Sequence, residues 1–125
     1  MIKTTQKDLH DLWSSLQIQN GDVLMVHSFL PSLGQIQSGP NAVISTLLDR
    51  VGQEGNIIAP TFTYSHFNDE IFDITTSSSK VGMLGDLMRE REDSVRSSDP
   101  NFSMVSIGKN ANELMYRETI FSFGL

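Results

Sequence analysis

Gly21-Asp22-Val23-Leu24-Met25-Val26-His27-Ser28, continuing into Phe29-Leu30-Pro31-Ser32-Leu33-Gly34, is the stretch from which the fold is read. The apolar run Val23 to Val26 ends in His27-Ser28 and opens into small and turn-forming residues. Gly39-Pro40 then starts an apolar-periodic segment. Strand, loop and helix in that order is the arrangement in which α/β proteins place ligands at the carboxyl end of a strand.

On the N-terminal side, Thr5 followed by Asp8 reads as a helix N-cap with a carboxylate in the first turn. Leu9, Leu12, Trp13 and Leu16 fall at i, i+3, i+4 and i+7, one face of a helix. Asn20-Gly21-Asp22 is a turn before the Val23–His27 strand. On the C-terminal side, Pro40 takes the tolerated first position of a second helix. Val43, Ile44, Leu47, Leu48 and Val51 form its buried stripe, and Gly52 ends it. Asn56–Ala59 reads as a second strand running into the Pro60-Thr61-Phe62-Thr63 loop. Residues 64–79 are polar, aromatic and loop-like. A third helix is expected after Ser79, with Val81, Leu84, Leu87 and Met88 inward. Arg89 to Asp93 form its solvated end, Ser103 to Ile107 a third strand, and Asn112 to Arg117 a short helix. This order predicts an α/β class, a layered α/β/α sandwich around a central sheet. Phe121-Ser122-Phe123-Gly124-Leu125 is an apolar ending where a finished domain carries polar residues, so the chain is expected to be the N-terminal part of a larger domain.

Composition narrows the function. The 125 residues carry a net charge of −6, with 9 Lys plus Arg against 15 Asp plus Glu. A nucleic-acid partner needs a basic face, and none is visible. An anionic cofactor remains compatible, because backbone N–H groups and a local cation suffice to hold it. The absence of cysteine removes disulfides, thiolate metal sites and a Cys nucleophile. Met1–Thr5 lacks a signal-peptide core and no apolar run reaches membrane-spanning length, so a cytoplasmic protein without a membrane partner is expected.

The chemistry-bearing residues each admit two readings. Ser28, Ser32 and Gly34 offer N–H and hydroxyl donors to a pyrophosphate, or belong to an ordinary connection; Pro31 has no N–H to offer. Thr61, Phe62 and Thr63 flank a cofactor arm or simply end a strand. Ser79 beside Lys80 marks a helix-start phosphate site or a plain cap. Arg96 pairs with a phosphate or is a surface cation. His10 reads as solvated, His27 as a hydrogen-bonded core histidine and His66 as either a site or a loop residue. Asp69, Glu70 and Asp73 have no metal-ligand spacing, and no metal is expected. The sequence carries no P-loop, Gly-x-Gly-x-x-Gly, His-Glu-x-x-His or Gly-x-Ser-x-Gly.

Five segments in order are similar to the aminoglycoside 3-N-acetyltransferase family. They begin with Gly21–Ser28 plus Leu33-Gly34, then Gly39-Pro40 with Val51-Gly52-Gln53-Glu54-Gly55, then Pro60–Thr63. Phe72-Asp73 with Ser79-Lys80-Val81-Gly82-Met83-Leu84 follows, and Arg96-Ser97 with Asp99–Ser103 and Gly108 closes the set. The resemblance implies an N-acetyltransferase that moves an acetyl group from acetyl-CoA to an amino group of an aminoglycoside or amino-sugar-like acceptor, with links to antibiotic resistance. By the same resemblance Ser28, Phe29, Leu30, Ser32, Leu33, Thr61, Thr63, Ser79, Val81, Arg96 and Ser103 line the CoA groove. Phe29 and Pro31 stand where many members carry Ser, Ser77-Ser78 where Thr-Pro is common, and Asp99 where aminoglycoside-modifying members have His. These departures point toward amino-sugar or surface-polysaccharide relatives. Family members are roughly double this length, and their later half carries a His- and Glu-containing segment implicated in deprotonating the amine. No catalytic residue is therefore assigned in this chain. The partner is expected to be that missing half or a second copy, and the alternative is a non-catalytic CoA- or nucleotide-binding fragment or a truncated product lacking the base.

Overall fold

A computed structural model describes residues 3–118 of the chain, with side chains to Tyr116. Residues 119–125, including the Phe121–Leu125 ending, lie outside the described residues. The elements are β1 (Lys3–Thr4), α1 (Gln6–Ser15), β2 (Val23–Met25), a 3-10 helix (Leu30–Leu33), β3 (Gln35–Ile36), α2 (Asn41–Val51), β4 (Asn56–Pro60), α3 (Met83–Arg89), β5 (Ser94–Arg96), β6 (Met104–Gly108) and α4 (Ala111–Glu118).

The start of α1 follows the sequence reading. The Asp8 N–H donates to Thr5 Oγ1 at 3.1 Å, and the Thr5 N–H donates back to Asp8 Oδ2 at 2.8 Å. This reciprocal cap satisfies two donors that a helix start leaves open. Leu9 and Trp13 are buried, whereas Leu12 and Leu16 of the same stripe are exposed. In α2 the expected stripe packs inward, and Pro40 is the N-cap rather than the first helical residue. Gly52 closes α2 at φ 69°, a conformation that favours glycine.

The main sheet has the order β2-β4-β6-β5. β2 runs parallel to β4, while β6 is antiparallel to both β4 and β5. Register places Leu24, Ile57, Ala59, Val105 and Ile107 on one face, where they join α2, α3, Leu9 and Trp13 in the core. The opposite face carries Val23, Met25, Ile58 and Ser106, and α4 packs against β5 and β6 there. Helices on both faces make the layered α/β arrangement.

Several expectations change. β2 stops at Met25 instead of His27, although the Val26 N–H still donates to Ile58 O at 2.7 Å. α3 starts at Met83 with Gly82 as its N-cap, so Ser79 is not a helix cap, and Val81 points outward rather than into the core. The pair β1–β3 and strand β5 were not expected from the sequence. Among the described residues no helix is long and apolar enough to cross a membrane.

Candidate functional site

The carboxyl ends of β2 and β4 lie side by side, and the chain leaves both in loops. After β2, His27, Ser28 and Phe29 lead into the 3-10 helix, whose Leu30 is buried in the core. The Ser32 N–H and hydroxyl both donate to Phe29 O, at 2.9 and 2.7 Å, so the turn closes on itself. Gly34, at φ 76°, ends it and sends the chain into β3. After β4, Pro60 leads into Phe62 and Tyr64.

These loops form an open mouth of about 430 Å³ lined by His27, Ser28, Phe29, Pro60, Phe62, Tyr64 and Val81. Phe29 is 71% exposed at its rim. Edge-to-face contacts of Phe62 and Tyr64 with Phe102, at 5.3 and 5.8 Å, hold the aromatic wall. On the opposite rim, the Ser79 N–H donates to Asp86 Oδ1 at 2.9 Å, and Ser79 Oγ accepts the Val81 N–H at 3.1 Å. Ser79 thus positions Val81. Ser28 and Phe29 also border a second cavity of about 510 Å³, which Ser32 and Leu33 line with residues of α1, β2 and α2. The Ser28 hydroxyl is buried between the cavities without a hydrogen-bond partner among the described residues. An orphaned buried hydroxyl of this kind points to a ligand or water that completes it.

The remaining sequence candidates form a different structure. Arg96, 8% exposed, ends β5 beneath the loop that follows β4. Its Nε donates to Thr61 Oγ1 and Ser103 Oγ, both at 3.2 Å. Nη2 donates to Thr61 O and Nη1 to Ile74 O, each at 3.1 Å. The guanidinium also stacks over Phe72 at 4.9 Å. Burial lowers its pKa to about 10, and neighbouring Arg89 adds to the shift while Asp86 and Asp73 oppose it. Thr61 and Ser103 hydroxyls lie 2.9 Å apart. Thr63 Oγ1 donates to Pro100 O and accepts from Ser65 Oγ. Arg96 therefore holds protein acceptors in place of the phosphate or solvent that its sequence context suggested.

The structure thus brings Ser28, Phe29, Ser32, Leu33 and Val81 to two cavities that share His27, Ser28 and Phe29 in their walls, with Ser79 supporting Val81. It sets Thr61, Thr63, Arg96 and Ser103 in a buried polar cluster and Leu30 in the core. His27 was read as a core residue, yet it is exposed and lines both cavities. Phe62, read with Thr61 and Thr63 as a strand-end group, lines the mouth; Tyr64 had no reading of its own, and its alternation with Phe62 after Pro60 was the available signal. The support from Asp86, Arg89 and Ile74 had no local signal. Among the described residues no group of His, Asp and Glu could hold a metal ion.

Comparison with known proteins places this geometry. The model of the aminoglycoside 3-N-acetyltransferase family matches residues 25–124. The chain is 29% identical to the SPbeta prophage-derived aminoglycoside N(3')-acetyltransferase-like protein YokD of Bacillus subtilis (strain 168), over 98% of this chain and 53% of that protein. A crystal structure of a variant of aminoglycoside acetyltransferase AAC(3)-IVa in complex with gentamicin superposes at a TM-score of 0.82 with 26% identity, covering 92% of this chain and 44% of that one. A structure of AAC-IIIb, binary with CoASH, shares the fold at a TM-score of 0.79 and 24% identity, covering 91% and 49%. The chain spans about half the length of the relatives it matches. With the family segment running from β2 to beyond α4, the chain belongs to the aminoglycoside 3-N-acetyltransferase family.

Proposed function

We propose that residues 1–125 are the acyl-donor part of a cytoplasmic N-acetyltransferase, holding acetyl-CoA at the mouth and presenting its acetyl group to an amine of an aminoglycoside or amino-sugar-like acceptor. The observation that carries this reading is the partnerless Ser28 hydroxyl, buried where the ends of β2 and β4 meet inside the family segment. When bound, acetyl-CoA supplies an acetyl thioester. Ser28 donates a hydrogen bond to the carbonyl of that group, and the Phe29, Phe62 and Tyr64 walls exclude water. The mouth lining carries no Lys or Arg, so the phosphates lie toward its edge, where the Ser79 hydroxyl can donate. Arg96 acts on the cofactor through the loops it holds.

An acceptor amine protonated at pH 7 must lose a proton before it attacks. That base, and the rest of the acceptor site, belong to the second half of the relatives' length. Titration calorimetry of CoA into the chain tests the reading. Binding is expected, and Phe29→Asp or Val81→Asp, which set a negative charge beside a polyanion, should weaken it at least tenfold. No binding at millimolar CoA, or binding indifferent to both variants, overturns it. Thiol release with gentamicin or glucosamine is expected only when a polypeptide corresponding to the relatives' second half is added. Binding without release in either case favours a non-catalytic CoA-binding module.

A further inference from the structure

The rim segment Ser79–Val81 has all of its backbone donors engaged. The Ser79 N–H donates to Asp86 Oδ1 at 2.9 Å, the Lys80 N–H to Phe62 O at 2.8 Å and the Val81 N–H to Ser79 Oγ at 3.1 Å. Phe62 and Val81 both line the mouth, so this strap ties one wall to the other. With its amides taken, the strap has no N–H left for an anion. Ser79 Oγ accepts from Val81, and its own hydrogen meets no acceptor among the described residues, so the hydroxyl is left as a donor.

Asp86 holds that arrangement from α3. Gly85, just before it, packs on the end of β4, where a Cβ would lie 2.4 Å from Pro60 O; this close approach sets Asp86 against the strap. Arg89 Nε donates to the same Asp86 oxygen at 3.2 Å, and Arg89 Nη1 donates to Thr75 O at 2.6 Å. The two side chains are only 24% and 13% exposed. One turn of α3 therefore grips the loop at Thr75 through a donor and at Ser79 through an acceptor.

We infer that Asp86 is a positioning residue for the cofactor, fixing the Ser79 hydroxyl as a donor to a phosphate of CoA at the edge of the mouth. The inference rests on the reading of the mouth as a CoA site. It carries a sign that a purely electrostatic role does not. A carboxylate near a polyanion repels it, so removal of the charge alone tightens CoA. Positioning depends on the oxygen that holds the Ser79 N–H, and an amide oxygen accepts that bond as well. Asp86→Asn thus keeps the device, and Asp86→Ala loses it.

The experiment titrates CoA by calorimetry into the wild-type chain, Asp86→Asn, Asp86→Ala, Ser79→Ala and the Ser79→Ala/Asp86→Ala pair, with circular dichroism as the check on folding. Asp86→Asn should bind CoA at least as tightly as the wild type. Asp86→Ala and Ser79→Ala should each weaken it about tenfold, the scale of one hydrogen bond to a charged group. The double variant should be no weaker than either, because both changes remove the same contact. Equal shifts in Asp86→Asn and Asp86→Ala reduce the residue to its charge and overturn the inference. Losses that multiply in the double variant overturn it too, since they mark separate damage to the fold. Full affinity in Ser79→Ala overturns it even where Asp86→Ala does not fold, because that variant keeps the N–H bond to Asp86. A wild-type chain that binds no CoA overturns the reading of the mouth as well.

Discussion

At the carboxyl end of β4, Pro60 borders the mouth while Thr61, next in sequence, is sealed in the polar cluster. The two regions are built from similar residues on opposite terms. In the cluster, Thr61, Ser103 and Arg96 satisfy one another, and every donor of the guanidinium that the structure pairs meets protein oxygen. At the mouth, the Ser28 hydroxyl is buried without a partner among the described residues and the Phe29 ring stands open to solvent. The cluster makes the scaffold rigid, and the mouth keeps binding capacity in reserve. A hydroxyl in a family motif therefore does not by itself identify a ligand contact; the state of its hydrogen bonds does.

The contrast is broken most severely at Arg96. Arg96→Met takes a donor from the carbonyls of Thr61 and Ile74 and from the Thr61 and Ser103 hydroxyls, and should lower stability by about 3 kcal/mol in urea unfolding. Arg96→Lys keeps the charge but not the fork of donors, and should recover only part of the loss. A loss below about 1 kcal/mol would show that the cluster does not support the fold. Gly85 comes next. A Cβ there would lie 2.4 Å from Pro60 O and 2.7 Å from Thr61 Cγ2, so Gly85→Ala must push α3 off the end of β4. The expected loss is about 2 kcal/mol, read as a lower thermal midpoint.

A paired measurement sharpens the comparison. Ser103→Ala leaves Thr61 and Arg96 short of a partner and should cost about 1.5 kcal/mol. Ser28→Ala removes a hydroxyl that bonds to nothing described, and should change stability by less than about 0.5 kcal/mol while weakening acetyl-CoA. Equal costs in the two variants would erase the distinction. The smallest effect is at Asp73, on the loop that Arg96 holds. Backbone N–H groups of Thr75 and Thr76 bond its carboxylate and hold its pKa below the ordinary value. A depressed folded pKa means stability that is fully present above the unfolded carboxylate pKa and is lost as pH falls through the folded one. In Asp73→Asn that acid-side loss should be absent from pH-dependent melting; an unchanged acid slope would count against the assignment.

Much of the scaffold was legible in the sequence because it rests on local pattern. The spacing of Val43, Ile44, Leu47 and Val51 places α2 on the core, and Thr5 with Asp8 caps α1. β5 was not legible: Ser94-Val95-Arg96 is short and flanked by charges, and only its pairing with β6 makes it a strand. Arg96 looked like a cation for a ligand because its partners, Thr61 and Ile74, lie far away in sequence. Ser79 looked like a helix cap because Ser commonly is one, whereas Gly82, at φ 129°, takes that place. The candidate cofactor loop was found by its motif, but how far each hydroxyl is already satisfied depends on contacts that no local pattern encodes.

The mixed sheet also sets an order of assembly. β5 and β6 pair across residues 97–103, and α4 follows β6 directly, whereas β2 reaches β4 only across residues 26–55. Closing a short loop sacrifices less chain entropy than closing a long one. The C-terminal hairpin is thus the early nucleus, because β2 meets β4 across residues 26–55 and β4 meets β6 across the still longer span 61–103. In pulsed hydrogen exchange during refolding, the amides of Val105 and Ile107 should gain protection before that of Leu24. The strand that carries the binding loop would then arrive after the hairpin is already in place.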